Sequence, residues 1–310
     1  MTTTERLEPA TGTTPAEPGA TAAGSGRATG VALMLGGGLS NQFGAATGAL
    51  AFPVIGPAGV VAVRQWVAAL VLLTTGRPRL RSFTARQWRP VLGLAAVFAT
   101  MNLSLYTAID RVGLGLAVTL EFLGPLAVAL LTSRRAVDLG CALAAGAAVV
   151  VLTRPQPSTD YVGIGMALLA AVCWGCYVLL NRTVGRRVPG AQGSAAAAGV
   201  SGLLYLPIGI AVLWQHPPTA AALGCAVVAG VLSSVVPFVA DLFALRRVPA
   251  NFFGVFMSVN PVLAALVGLL VLGQRPGWPE WAAIGVIVAA NAVAMLTGSR
   301  AARRAVADAR

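Results

Sequence analysis

The sequence predicts an all-α integral membrane protein of ten transmembrane helices, arranged as two inverted five-helix repeats. Three observations carry that prediction: the composition, a regular succession of apolar segments, and a broken-helix pattern that occurs twice. Of the 310 residues 57% are hydrophobic and only 10% charged, with a mean hydropathy of +0.79. A soluble domain carries about 25% charged residues, so this chain belongs in a bilayer. Its net charge of +12 rests on 22 basic residues, all of them Arg. They lie mostly between apolar segments, where they act as topology signals rather than as a nucleic-acid patch.

Residues 1–28 are rich in Thr, Ala, Pro and Gly and have no apolar core, which fits a disordered cytoplasmic tail and not a cleaved signal peptide. Apolar segments then follow at 30–50, 56–75, 91–109, 114–131, 137–153, 162–180, 194–214, 220–243, 252–272 and 280–298. A spanning helix needs about 20 apolar residues. Backbone groups in lipid must be satisfied within their own segment, so a helical bundle follows. The segments divide into a first repeat at 29–154 and a second at 160–298, with a basic cytoplasmic tail at 299–310. Loops are marked by Phe52-Pro53, Gly76-Arg77-Pro78, Thr153-Arg154-Pro155, Pro217-Pro218 and Gly273-Gln274-Arg275-Pro276-Gly277.

Arg distribution sets the orientation. With the N-terminus inside, 18 Arg fall on the cytoplasmic side, and only Arg111, Arg154 and Arg275 fall outside. The positive-inside rule then places both termini in the cytoplasm, with the protein multi-pass in the cytoplasmic membrane.

The stretch Ala108–Leu131 runs from a charged turn into an apolar helix broken by Glu121, Gly124 and Pro125. At an offset of 136 it matches Ala244–Val267 at six of 24 positions: Ala108/Ala244, Arg111/Arg247, Val112/Val248, Pro125/Pro261, Ala129/Ala265 and Leu130/Leu266. Five helices per half put the two copies in opposite orientation, the pattern of secondary transporters that bind substrate near the midplane.

Within that frame, Glu121 is a carboxyl near the middle of the fourth span. Pro125 removes the N–H that would have bonded the Glu121 carbonyl. Intramembrane acids are costly and mark proton or substrate pathways, so Glu121 is a candidate for both substrate contact and proton coupling. Its structural alternative is a fixed ion pair. Arg64 is the basic residue well inside a span, and its guanidinium fork suits a carboxylate, whether a substrate's or that of Glu121. Asn41-Gln42, Asn102 and Tyr106 add polar groups at membrane depth, either lining a cavity or joining helices. Pro237 precedes Asp241 by four residues and frees a carbonyl at Ser233-Ser234; Asp241 is a second proton-coupling candidate or a rim charge beside Arg246 and Arg247. Asn260-Pro261 is the second-half counterpart of the break, with Met257 opposite Glu121. Small-residue spacings at Gly44-xxx-Gly48 and Ala198-xxx-Gly202 fit close helix packing.

All four cysteines, Cys141, Cys173, Cys176 and Cys225, lie in apolar runs, and the lone His216 lies in a loop. Neither a disulfide framework nor a metal cluster is expected, nor any cofactor or nucleic-acid partner. The partners expected are a small-molecule substrate, protons and the lipid bilayer. A lipid-acting membrane enzyme would need a catalytic cluster that the loops lack, and a channel fits inverted, broken-helix halves less well.

At these residues the chain resembles the drug/metabolite transporter superfamily in its EamA-type ten-helix form, closest to the threonine/homoserine exporter branch. The resemblance runs over roughly 30–298. It is carried by Asn41-Gln42-Phe43-Gly44, Gly56 to Arg64, Met101-Asn102-Leu103, Arg111 to Pro125, Ser233-Ser234-Val235-Val236-Pro237 through Asp241 to Arg247, and Phe253 to Pro261. It implies export of small amino acids or related metabolites driven by the proton gradient; a drug or another metabolite is the alternative cargo. One departure stands out: relatives often carry an acid before the Pro of the ninth helix, where this chain has Asn260. That substitution leaves coupling to Glu121 and Asp241, or points to a different substrate.

Overall fold

The computed structural model describes residues 19–131, 140, 143–145, 147–148, 160–189, 191–237, 240, 259–290 and 292–293. Among the described residues every regular element is helical. In chain order these are α1 (Gly19–Ala49), α2 (Phe52–Gly76), α3 (Ala85–Val112), α4 (Leu114–Glu121), α5 (Leu123–Leu131), α6 (Tyr161–Arg187), α7 (Gln192–Gln215), α8 (Ala220–Gly230), α9 (Asn260–Leu272) and α10 (Trp278–Ala290). Four of them, α2, α3, α6 and α7, are long and apolar enough to cross a membrane.

Several boundaries differ from those read off the sequence. The first helix starts at Gly19, well before residue 30, although its opening stretch carries four Gly among residues 19–30, which propensity does not explain. Phe52-Pro53 opens α2 instead of forming a loop; Pro is tolerated at a first helical turn, whose N–H groups have no partner within the helix. The apolar segment beginning at Gly56 still registers, since Gly56 breaks the helix with φ 63° ahead of Pro57. Only glycine adopts that conformation without strain. The loops at Gly76-Arg77-Pro78, Pro217-Pro218 and 273–277 lie where expected. Thr153-Arg154-Pro155 falls outside the described residues.

The packing is built on small side chains. Gly202 lies against Ala69, where an added Cβ would stand 2.8 Å from the Ala69 Cβ, and Gly48 meets Ala229, Tyr106 and Val60 in the same way at 3.1 Å. Both small-residue spacings therefore mark close helix approaches. Large apolar side chains point outward: Leu70, Val172, Leu203, Ile210 and Leu270 are all exposed. An exposed apolar shell around a small-residue interior is what a lipid solvent permits.

The two ends of the bundle differ in charge. At one end Arg111 pairs with Asp160 at 2.9 Å, and Leu114 donates its N–H to Gln274 Oε1 at 2.9 Å. Tyr161 and Trp278, both well exposed, sit at that end, as amphipathic rings do at a membrane interface. At the other end Gln87 donates to the Arg187 carbonyl at 2.8 Å, and Arg187 donates to the Arg86 carbonyl at 3.0 Å. That second end gathers Arg77, Arg79, Arg81, Arg86, Arg89, Arg182, Arg186 and Arg187.

In the interior α3 packs on α6, α2 on α7 and α8, α3 on α7, α4 and α5 on α6, and α1 on α8 and α9. Helices from the first and second halves of the chain are thus interleaved.

Candidate functional site

Pro237 organises the centre of the bundle. Val231–Val235 is a π-helical turn that continues α8. In an α-helical register Pro237 lacks the N–H for the Ser233 carbonyl; in the π register it lacks the one for Leu232. Both carbonyls take side-chain donors instead. Ser40 Oγ donates to the Leu232 carbonyl at 2.8 Å, and Arg64 Nη2 donates to the Ser233 carbonyl at 3.4 Å. Arg64 Nε also donates to Ser234 Oγ at 3.4 Å, while Ser233 Oγ donates to the Asn41 carbonyl at 3.0 Å. This approach of α1 requires Gly44, whose Cβ would collide with Ser233 Oγ and stand 2.8 Å from its backbone nitrogen.

Arg64 lies over the Tyr106 ring, 5.0 Å from its centroid. Such a contact attracts the cation through the ring's negative face. Tyr106 is itself fully buried, wedged edge-on against Phe52, and its hydroxyl has no hydrogen-bond partner among the described residues. Asn102, one turn earlier on the same face of α3, donates to its own helix at the Phe98 carbonyl, 2.8 Å away.

Glu121 closes α4. The helix breaks at Phe122 and resumes as α5, with Pro125 three positions into the new segment. Glu121 is 5% exposed. Beside it Phe122 packs edge-on against Trp174 at 4.5 Å, and Gly124 admits the backbone of α6, since a Cβ there would strike the Ala171 carbonyl oxygen. Arg64 is the cation whose charge acts on Glu121. The one ion pair within 4.0 Å among the described residues is Arg111–Asp160, so Arg64 and Glu121 attract without a direct bridge.

The predicted residues are therefore brought together in part. Arg64, Tyr106 and the backbone of Asn41 form one cluster; Asn41 contributes its carbonyl. Asn260 faces the next residue, accepting from Gln42 Nε2 at 3.4 Å. Pro261 lies in the first turn of α9, where its missing N–H costs nothing. Asp241 and Met257 lie outside the described residues. A second buried polar junction was not anticipated. Gln65 donates to Ser201 Oγ at 2.9 Å and to the Phe98 carbonyl at 3.3 Å, and Tyr205 donates to the Ala99 carbonyl at 2.8 Å. The signal for it, a Gln beside Arg64 in mid-span, is present in the sequence.

A helical bundle with an apolar outer shell, broken helices, a half-buried cation and a buried acid defines a polytopic membrane transporter. Comparison with known proteins narrows the class. The EamA-like transporter family profile matches residues 161–296. The chain is similar to the threonine/homoserine exporter RhtA of Escherichia coli K12, at 34% identity over 83% of this chain and 88% of that protein. The RhtA of Salmonella typhimurium SL1344 matches at the same identity and coverage, and the uncharacterized transporter YcbK of Bacillus subtilis matches at 28% over 38% of this chain and 40% of its own length. A solved crystal structure superposes with TM-score 0.56 over 89% of this chain and 98% of that one, at 20% identity, which speaks for the fold alone. The chain belongs to the EamA-like transporter family of the drug/metabolite transporter superfamily, on the RhtA side of it; it is a transporter and not an enzyme.

Proposed function

We propose that the protein is a secondary active transporter that exports small amino acids of the threonine/homoserine kind, or related metabolites, by proton antiport with alternating access. The observation that carries this reading is the unbridged pair of opposite charges, half-buried Arg64 and buried Glu121, each at a Pro-dependent helix irregularity. Arg64's long hydrogen bonds to Ser233 and Ser234 are weak enough to be exchanged for a carboxylate, which binds a guanidinium more strongly. Glu121 takes the substrate ammonium or a proton, one at a time, so that each expels the other. Asn41, Asn102, Tyr106 and Asn260 complete the polar lining, and Asp241 is a second proton site.

The contact pattern favours inverted repeats. Exchanging each helix with its partner 136 residues away converts α3 on α6 into α8 on α1, α2 on α8 into α7 on α3, and α5 on α6 into α9 on α1. Gln65 bonds Ser201, its own counterpart at that offset, and equivalent residues meet in this way at a two-fold axis. Alternating access by rocking of such halves follows from the architecture. Clustering of eight Arg at one end supports a cytoplasmic assignment of that end and of both termini.

Function is tested by overexpressing the protein with a panel of amino acids and analogues. Cells are expected to resist growth inhibition by homoserine and threonine and to accumulate them less, with Arg64→Ala losing at least about tenfold in apparent affinity, as for removal of a charged hydrogen-bonding partner. Resistance to an unrelated metabolite alone would reassign the cargo.

A further inference from the structure

Among the described residues, a polar atom deep in the bundle stands outside the site as assigned above. Gln42 is 1% exposed, and its Oε1 has no hydrogen-bond partner among the described residues. Its Nε2 donates to Asn260 Oδ1 at 3.4 Å, which turns the amide toward α9. Gly38, one turn earlier, allows that approach, since a Cβ there would stand 3.1 Å from Asn260 Oδ1. Gln42 also follows Asn41, whose carbonyl accepts Ser233 Oγ, and the Ser233 carbonyl holds Arg64. The bare acceptor therefore lies one residue along α1 from the Arg64 cluster, on the α9 side. α9 in turn packs on α4, with Gly115 against Ala265, and α4 ends at Glu121.

We infer that Gln42 Oε1 reads the side-chain hydroxyl of the transported amino acid. The inference rests on the substrate reading above. A zwitterion's two charged ends match Arg64 and Glu121, which leaves a neutral hydrogen-bond donor for a neutral acceptor. An amide carbonyl buried without a donor is costly, and a substrate hydroxyl removes that cost while the site is occluded. Discrimination follows from the same asymmetry: an analogue without the hydroxyl leaves Gln42 unsatisfied, which is how sites reject deoxy substrates.

The test is transport in proteoliposomes of homoserine against 2-aminobutyrate, which lacks only the hydroxyl. The wild-type protein is expected to prefer homoserine by about tenfold or more. Gln42→Met, similar in size but without a strong acceptor, is expected to bring the ratio close to one while still carrying 2-aminobutyrate. Gln42→Glu keeps an acceptor at the same place and is expected to keep the preference. An unchanged ratio in Gln42→Met overturns the inference, and so does equal loss of both substrates in both variants, which marks a packing role. Wild-type protein that carries both amino acids equally removes the hydroxyl contact but leaves the exporter reading intact. Wild-type protein that carries neither removes that reading itself.

Discussion

Asp160 shows how a single side chain fastens one end of the bundle. It caps α6 by accepting from the Gly163 N–H at 2.8 Å and pairs with Arg111 across the turn after α3. The Gly163 hydrogen bond, with help from Arg111, holds its carboxyl below the usual carboxylate value. A lowered native value means the contribution to stability is complete above the unfolded value near 3.8 and shrinks as pH falls from there toward the native one. Thermal midpoints of wild type and Asp160→Asn in detergent should therefore differ at neutral pH and converge below pH 3.8. A gap that persists at the acid end would assign the effect to shape and not to charge.

Single residues also show what could be read without the fold. Glu121 and Arg64 declare themselves because a charge in an apolar run is expensive. Tyr106 is ambiguous in the sequence, since an aromatic residue in a span is usually packing; only the placement of Arg64 over its ring separates it from the core. Asn102 is equally ambiguous, since its amide nitrogen donates to its own helix at the Phe98 carbonyl. Gln42 with Asn260 and Gln65 with Ser201 are pairs made across the whole chain. Periodicity within one segment carries no information about them.

At the scale of elements, two of the prolines coincide with helix irregularities. Pro125 marks the division between α4 and α5, and Pro237 marks the π turn whose carbonyls Ser40 and Arg64 take. The π register itself was not legible, because Pro fixes only where a donor is missing and tertiary partners decide which carbonyl is left over. Helix starts were the least legible: α1 begins well ahead of its apolar segment, and α2 opens on a Pro-compatible first turn. The π turn has a direct test. Pro237→Ala restores an N–H that competes with Arg64 and Ser40 for the freed carbonyls. The variant should be more stable, by up to about 3 kcal/mol, and should transport several-fold more slowly than wild type. Unchanged transport alongside raised thermal stability would show that the turn is packing alone.

For the whole molecule, the proposed topology rests on the ordering of ten apolar segments and on the Arg bias. Close glycine contacts inside and exposed large apolar side chains outside fit it as a lipid-facing bundle. In a background with Cys141, Cys173, Cys176 and Cys225 replaced by Ser, Arg275→Cys should react with a membrane-impermeant maleimide in intact cells. Ser82→Cys, at the Arg-rich end, should react only after permeabilisation. The reverse pattern would invert the topology.

The central claim is that one site exchanges substrate for proton through Glu121. The most direct measurement compares wild type and Glu121→Gln in proteoliposomes, each assayed for substrate movement driven by a pH gradient and for substrate-for-substrate exchange without one. The account predicts that Glu121→Gln, which mimics the protonated carboxyl, abolishes gradient-driven accumulation and slows the exchange that wild type sustains. Accumulation that still follows the pH gradient in Glu121→Gln, as in wild type, would contradict it.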